Sequence, residues 1–144
     1  MVVLNTTLKE MKIYTGNFAN ITKYISAGLT PISIAMSARH FTGISYRKLN
    51  PDISYLTEDP IDYEPKYNKK LLSLDAKVVF NELKSLSNGK NIVLLCHEGE
   101  NLFCHRHLAA RWLADNLNIE ILELGKMKEK EQQISVMEQK KINT

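Results

Sequence analysis

The chain has 144 residues, a mass of 16.5 kDa, a net charge of +3 and 44% apolar residues, the profile of one ordinary globular domain able to bury its own core. No apolar run is long enough to span a bilayer, and the start MVVLNTTLKEM lacks a basic region followed by a longer apolar stretch, so neither a membrane span nor a signal peptide is expected. The charge is mild and no basic stripe is interleaved with aromatics; Arg39, Arg47, Lys48, Lys66, Lys69 and Lys70 form no pattern that marks a nucleic-acid surface.

In chain order, Met11 to Thr15 is a β-prone run that ends at the turn signal Gly16-Asn17. Phe18 to Ala27 has helical spacing, with Phe18, Ile21, Tyr24 and Ile25 on one side and Gly28 placed as a C-cap. Pro31 precedes a second strand, Ile32 to Met36, which breaks into the polar turn Ser37-Ala38-Arg39-His40. Residues 41 to 74 scatter aromatics among Pro51, Pro60 and Pro65 without clear periodicity, and are expected to be an irregular insertion with short helical pieces. Residues 75 to 87 predict a helix with Asp75 as N-cap, Val78, Val79, Leu83 and Leu86 as its apolar stripe, and Asn88-Gly89 as its end. Asn91 to Cys96 is the most apolar strand, suited to a central parallel position covered on both faces. A helix over 103 to 117 turns Leu108, Ala109, Trp112 and Leu113 inward, and Glu120 to Leu124 is a fourth strand. Residues 125 to 144 are charged and form a terminal helix or tail beyond a single domain of 1 to 124.

Strands that alternate with helices imply right-handed crossovers, so the expected fold is a small three-layer α/β domain with a mainly parallel four-stranded sheet and helices on both faces. Ligands in such sheets bind beyond the carboxyl ends of the strands. The loops at those ends carry Gly16 and Asn17, then Ser37 and Arg39, then Cys96 to Phe103. Two thiols, two histidines, two carboxylates and an arginine fall within the eleven positions from Cys96 to Arg106, a concentration found nowhere else in the chain.

Stepping three or four residues back from Leu108 and Ala109 reaches His105 and Arg106, so the buried stripe of that helix continues into its first turn. A helix start with unpaired N–H groups, Arg106 and a loop Arg39 makes an anion site, and phosphate is the obvious anion. Cys104 sits where a helix N-terminus and neighbouring cations favour a thiolate. Cys96 at the strand end is a small half-buried residue or part of the site. Glu98 is a proton-transfer group or an ion-pair partner for an arginine. Zinc held by Cys96, Cys104 and His105 is a further alternative, although the Cys-His…Cys-His spacing matches no finger or ribbon. No metal site and no cofactor are otherwise expected: a glycine-rich dinucleotide fingerprint, a Walker loop and the Cys-x5-Arg loop of tyrosine phosphatases are all missing, with Leu102 standing six positions after Cys96. Two nearby cysteines flanked by histidines are not a secreted disulfide framework, which points to a reducing, cytoplasmic setting.

Several stretches resemble the domain-of-unknown-function 488 family: Tyr14 to Phe18, Ile32-Ser33-Ile34 leading to Ser37-Ala38-Arg39, and LLCHEGENLFCHRHLAARWL from Leu94 to Leu113. The family's C-x-E…C-H-R signature maps onto Cys96, Glu98, Cys104, His105 and Arg106, and Phe41 to Tyr46, with Leu49 and Pro51, is similar to its variant with a GISY stretch. The resemblance covers most of residues 11 to 124; His97 and Ala38 depart from the residue types usual at their positions. It implies an α/β fold and these site residues, and no particular reaction.

Three functions remain open from the residues. The first is an enzyme, a hydrolase or transferase, acting on a phosphorylated small molecule such as a nucleotide. There Cys104, His105 and Glu98 are the catalytic candidates, and Arg39, Arg106, Asn17, Gly16, Ser37 and Cys96 hold the ligand. The second is a non-catalytic domain that senses or sequesters the same ligand. The third is the metal-stabilised domain.

Overall fold

The computed structural model describes residues 10–35, 41–51, 60–96 and 105–124. Among them are five strands, β1 (Ile13–Asn17), β2 (Thr30–Ser33), β3 (Ile44–Ser45), β4 (Ile92–Cys96) and β5 (Leu122–Glu123), in one sheet of order β3-β2-β4-β1-β5 in which every pairing is parallel. Four α-helices accompany them: α1 (Ile21–Ser26), α2 (Pro60–Leu72), α3 (Ala76–Leu86) and α4 (His105–Leu117). The α/β expectation therefore holds, with one strand more than expected. Among the described residues no helix is long and apolar enough to cross a membrane.

Period-two alternation assigns each strand residue to a face. Ile13, Ile92 and Leu94 join Tyr67, Leu71, Val79, Leu83, Leu108, Ala109 and Leu113, so α2, α3 and α4 cover one face. Tyr14, Val93 and Leu95 turn the other way and pack with Tyr24 and Leu29, which places α1 on the opposite face. Residues Ile92 to Cys96 are wholly buried, as a central strand covered on both sides requires.

Several elements depart from their sequence reading. β1 does not stop before Gly16-Asn17 but runs through them, because both residues remain in register with Leu95 and Cys96 of β4. Phe18–Asn20 is a 3-10 turn, and only Tyr24 of the α1 stripe is buried; Ile25 is exposed. In α3 the inward residues are Ala76, Val79 and Leu83, while Val78 and Leu86 face solvent. Asp75 caps α3 as expected, accepting from the backbone of Lys77 at 2.9 Å and Val78 at 3.3 Å. The segment read as irregular holds β3 and the 13-residue α2, which contains Pro65. Tyr67 and Leu71, one turn apart and both buried, anchor α2, and the Tyr67 hydroxyl donates to the Leu49 carbonyl at 2.6 Å.

Candidate functional site

The topology singles out one place on the sheet's carboxyl edge. The chain leaves β1 toward α1 on one face and leaves β4 toward α4 on the other, and β1 and β4 are neighbours. Adjacent strands whose connections diverge in this way open a crevice, the usual ligand position in parallel sheets. Asn17 and Cys96 are register partners at its floor.

A buried polar cluster sits beneath it. Thr15 and Glu123 are register partners on β1 and β5, so their side chains share the α4 face. The Arg106 guanidinium, fully buried in the first turn of α4, grips Glu123 with two bonds: Nε donates to Oε1 at 3.0 Å and Nη2 to Oε2 at 2.9 Å. Arg106 Nη1 donates to Cys96 Sγ at 3.2 Å, and the Thr15 hydroxyl donates to Glu123 Oε1. Arg106 thus ties α4 to β4 and β5, and Glu123 carries the link on to Thr15 of β1. Burial alone would raise the Glu123 carboxyl; the hydrogen bonds from Arg106 and Thr15 outweigh it and hold the group below the ordinary carboxylate range.

His105 does comparable work one residue earlier. Its Nε2 lies 2.6 Å from the Ile34 carbonyl at the end of β2, a contact that makes Nε2 the protonated nitrogen. Its ring meets Tyr67 edge-on at 5.2 Å between centroids. Burial pushes the imidazole down to about 4, against the Ile34 bond that favours the cation and with help from the nearby charges of Arg106 and Lys70. His105 is accordingly neutral near pH 7.

The rim at β1 is less satisfied. Gly16 lies so close to the Tyr24 hydroxyl that a Cβ there would come within 2.4 Å of it, which explains a glycine inside a strand. Tyr24 is buried, its hydroxyl has no hydrogen-bond partner, and neither has the buried Asn17 Oδ1. Burial raises the Tyr24 phenol, opposed by the Asn20 side chain and reinforced by the Glu123 charge. Phe18 packs over Ala35 and Cys96, covering the ends of β2 and β4, and touches Phe41 edge-on at 5.4 Å.

The structure brings Gly16, Asn17, Cys96 and Arg106 together at the ends of β1 and β4 and sets His105 against the end of β2. Ser37, Arg39, Glu98 and Cys104 lie outside the described residues, as does the segment 125–144. His105 and Arg106 point inward, as the helical spacing predicted. Cys96 is disulfide-bonded, and the chain's one other cysteine is Cys104. In this state Cys96 offers no thiolate to a metal, and the Nε2 of His105 is engaged by Ile34. Among the described residues no three histidine, cysteine or acidic side chains converge as metal ligands. Sequence reasoning missed Thr15, Tyr24, Tyr67 and Glu123. The signal for Glu123 was present: a buried-stripe arginine needs a counter-charge, and Glu123 is the carboxylate inside the apolar run EILEL.

Residues 46–117 match the profile of the DUF488-N3a family, described as the active DUF488-N3 subclade. The match spans α2, α3, β4 and α4, and so includes Cys96, Glu98, Cys104, His105 and Arg106. No curated protein and no solved structure matches the chain.

Proposed function

This chain belongs to the DUF488 family, in the subclade described as active, and from that premise we propose that it is an enzyme acting on a phosphorylated, nucleotide-like small molecule in the β1/β4 crevice. The observation that carries the reading is the start of α4 beside that crevice, with Arg106 and His105 locked inward in its first turn. A helix N-terminus presents backbone N–H groups and a positive dipole end, which suits a phosphate. Arg39, which follows β2 in the sequence, would add a second positive group. Arg106 and His105 then act as positioning residues: their bonds to Glu123, Cys96 and Ile34 hold α4 at a fixed angle to the strand ends. Proton transfer falls to Glu98 and nucleophilic attack to Cys104.

Cys96 is disulfide-bonded, and a nucleophilic thiol must be reduced. The test is therefore made on reduced protein. Nucleoside mono-, di- and triphosphates are incubated with it and followed by phosphorus NMR and mass spectrometry. Turnover of one class is expected, abolished by Cys104→Ser or Glu98→Gln with binding retained. Tight binding without turnover of any member would replace the enzyme by a sensing or sequestering domain. Binding of none of them would end the reading.

A further inference from the structure

The sulfur of Cys96 is disulfide-bonded at the floor of the crevice. A chain of this length buries its own core without a staple, so the bond calls for a role other than stability. Its surroundings are those of a sulfur that is also at home when reduced. Arg106 grips Glu123 through Nε and Nη2 and donates from Nη1 to Cys96 Sγ at 3.2 Å. A guanidinium donor gains little from a disulfide sulfur, a weak acceptor, and much more from a thiolate. On β1, Asn17 is the register partner of Cys96, and strand alternation gives both the face shared with α4. Asn17 Oδ1 is buried and has no hydrogen-bond partner. It can only accept, so a disulfide offers it nothing, whereas the S–H of a reduced Cys96 is a donor at the facing position. A buried carboxamide oxygen without a donor is costly, and reduction supplies one.

We propose that the Cys96 disulfide is a reversible redox switch on the crevice, with Cys104, the chain's one other cysteine, as its second sulfur and Arg106 as the group that receives the Cys96 thiolate. The co-reactant is a dithiol. Cys96 is 0% exposed and Phe18 packs against it, so an incoming thiolate attacks the other sulfur. The S–S bond breaks, its electron pair goes to Cys96 Sγ beside Arg106 Nη1, and a mixed disulfide with the reductant remains. The second thiol of the reductant resolves that bond. The dithiol is oxidised to its disulfide, and its two electrons and two protons leave two protein thiols. A thiol of lower pKa is the faster leaving group, and the Arg106 contact favours the thiolate. That reduction switches activity on rests on Cys104 being the nucleophile; the lability of the bond does not.

The test equilibrates the full-length protein with graded mixtures of glutathione and glutathione disulfide, quenches with iodoacetamide and reads the intact mass, with peptide mapping of the linked cysteines. The oxidised form should yield a Cys96–Cys104 peptide pair, and both thiols should open together within the glutathione mixtures, where structural disulfides stay closed. Reduction by dithiothreitol should be about tenfold slower in the double variant Arg106→Met with Glu123→Leu than in wild type, and equally fast for both in urea. A second measurement is independent of how that variant folds: in Cys104→Ser, the ultraviolet thiolate absorbance of Cys96 should titrate below the ordinary thiol value. A bond that resists every mixture, a different pairing, equal rates in a folded double variant, or a Cys96 thiol at or above its ordinary value overturns the proposal. Should the bond open as expected while the reduced protein turns over no nucleotide, the redox centre stands and the enzyme reading falls. Should oxidised and reduced protein turn over a nucleotide equally well, the switch is overturned and the enzyme reading stands without its thiol.

Discussion

Two carboxylates in this fold are built alike and situated differently. Glu123 accepts from a cation, Arg106, and a hydroxyl, Thr15; Glu82 accepts from a cation, Lys48, at 2.8 and 3.0 Å, and a hydroxyl, Tyr46, at 2.6 Å. The side chains of Arg106 and Glu123 are 0% and 10% exposed, those of Lys48 and Glu82 49% and 40%. Water screens the second pair and competes for its bonds, so the ion pair adds little to stability. The first pair has no such competitor. Its members depend on each other, and removing either leaves a charge stranded in the interior. The buried cluster stands under the candidate site and the exposed one on the outer edge of β3 and α3, so the protein concentrates rigidity where α4 must be held against the strand ends.

The largest effect should come from breaking the buried pair. Glu123→Gln or Arg106→Ala is expected to cost about 3–5 kcal/mol in urea denaturation. The double replacement Arg106→Met with Glu123→Leu should recover much of that loss, since two well-packed apolar groups strand no charge. If the single variants lose less than about 1 kcal/mol, burial adds nothing here and the two clusters are equivalent.

Acid should act on the same region next. The folded-state pKa of His105, about 4, lies below its ordinary value, so the neutral form is the one the fold favours. The associated stability is fully present above the unfolded pKa near 6.5 and is lost as pH falls toward 4, by about 3 kcal/mol. Glu123, held below the ordinary carboxylate range, loses its share in the same direction but at lower pH. Denaturation midpoints of wild type and His105→Gln between pH 7 and pH 4 separate the two, because the variant should lack the first loss. Parallel curves for the two proteins would show that His105 does not titrate in this window.

How much of this was legible follows from length and period. The inward turn of His105 and Arg106 could be read because α4 keeps its 3.6-residue spacing through 13 residues. The central strand was legible from its unbroken apolar run, and the crevice from the alternation of strands and helices. β3 is two residues long, too short for any period to register. α2 was hidden by Pro65, which breaks the helical pattern while the buried Tyr67 and Leu71 hold the helix to the core. In α1 and α3, Ile25, Val78 and Leu86 are apolar yet exposed, since composition does not say which of several apolar positions finds a surface to cover. The Arg106–Glu123 pair joins residues 17 positions apart on a helix and an edge strand; only the register of β5 against β1 brings Thr15 and Glu123 side by side.

Gly16→Ala offers a smaller and more local test. The added methyl would meet the Tyr24 hydroxyl at 2.4 Å, so the ring must shift or the strand must bend. Overpacking of this kind costs about 1–3 kcal/mol. The double variant Gly16→Ala with Tyr24→Phe should recover part of it by removing the clashing oxygen. Equal stability of the single and double variants would show that the strand, not the ring, yields.

Lys48→Ala should change least. Lys48 and Glu82 pair in solvent, and Lys48 together with Tyr46 keeps the Glu82 carboxyl below its ordinary range. Tyr46 is buried and still donates to Glu82 at 2.6 Å once the lysine is gone, so its contact with α3 survives. The urea midpoint should coincide with that of wild type, at low salt and at high salt alike. A clear loss at low salt, erased by added salt, would mean that the exposed cluster carries electrostatic weight of its own. The contrast with Glu123 would then be one of degree, and the rigidity of the fold would be shared between the outer edge of β3 and the crevice instead of being concentrated at the start of α4.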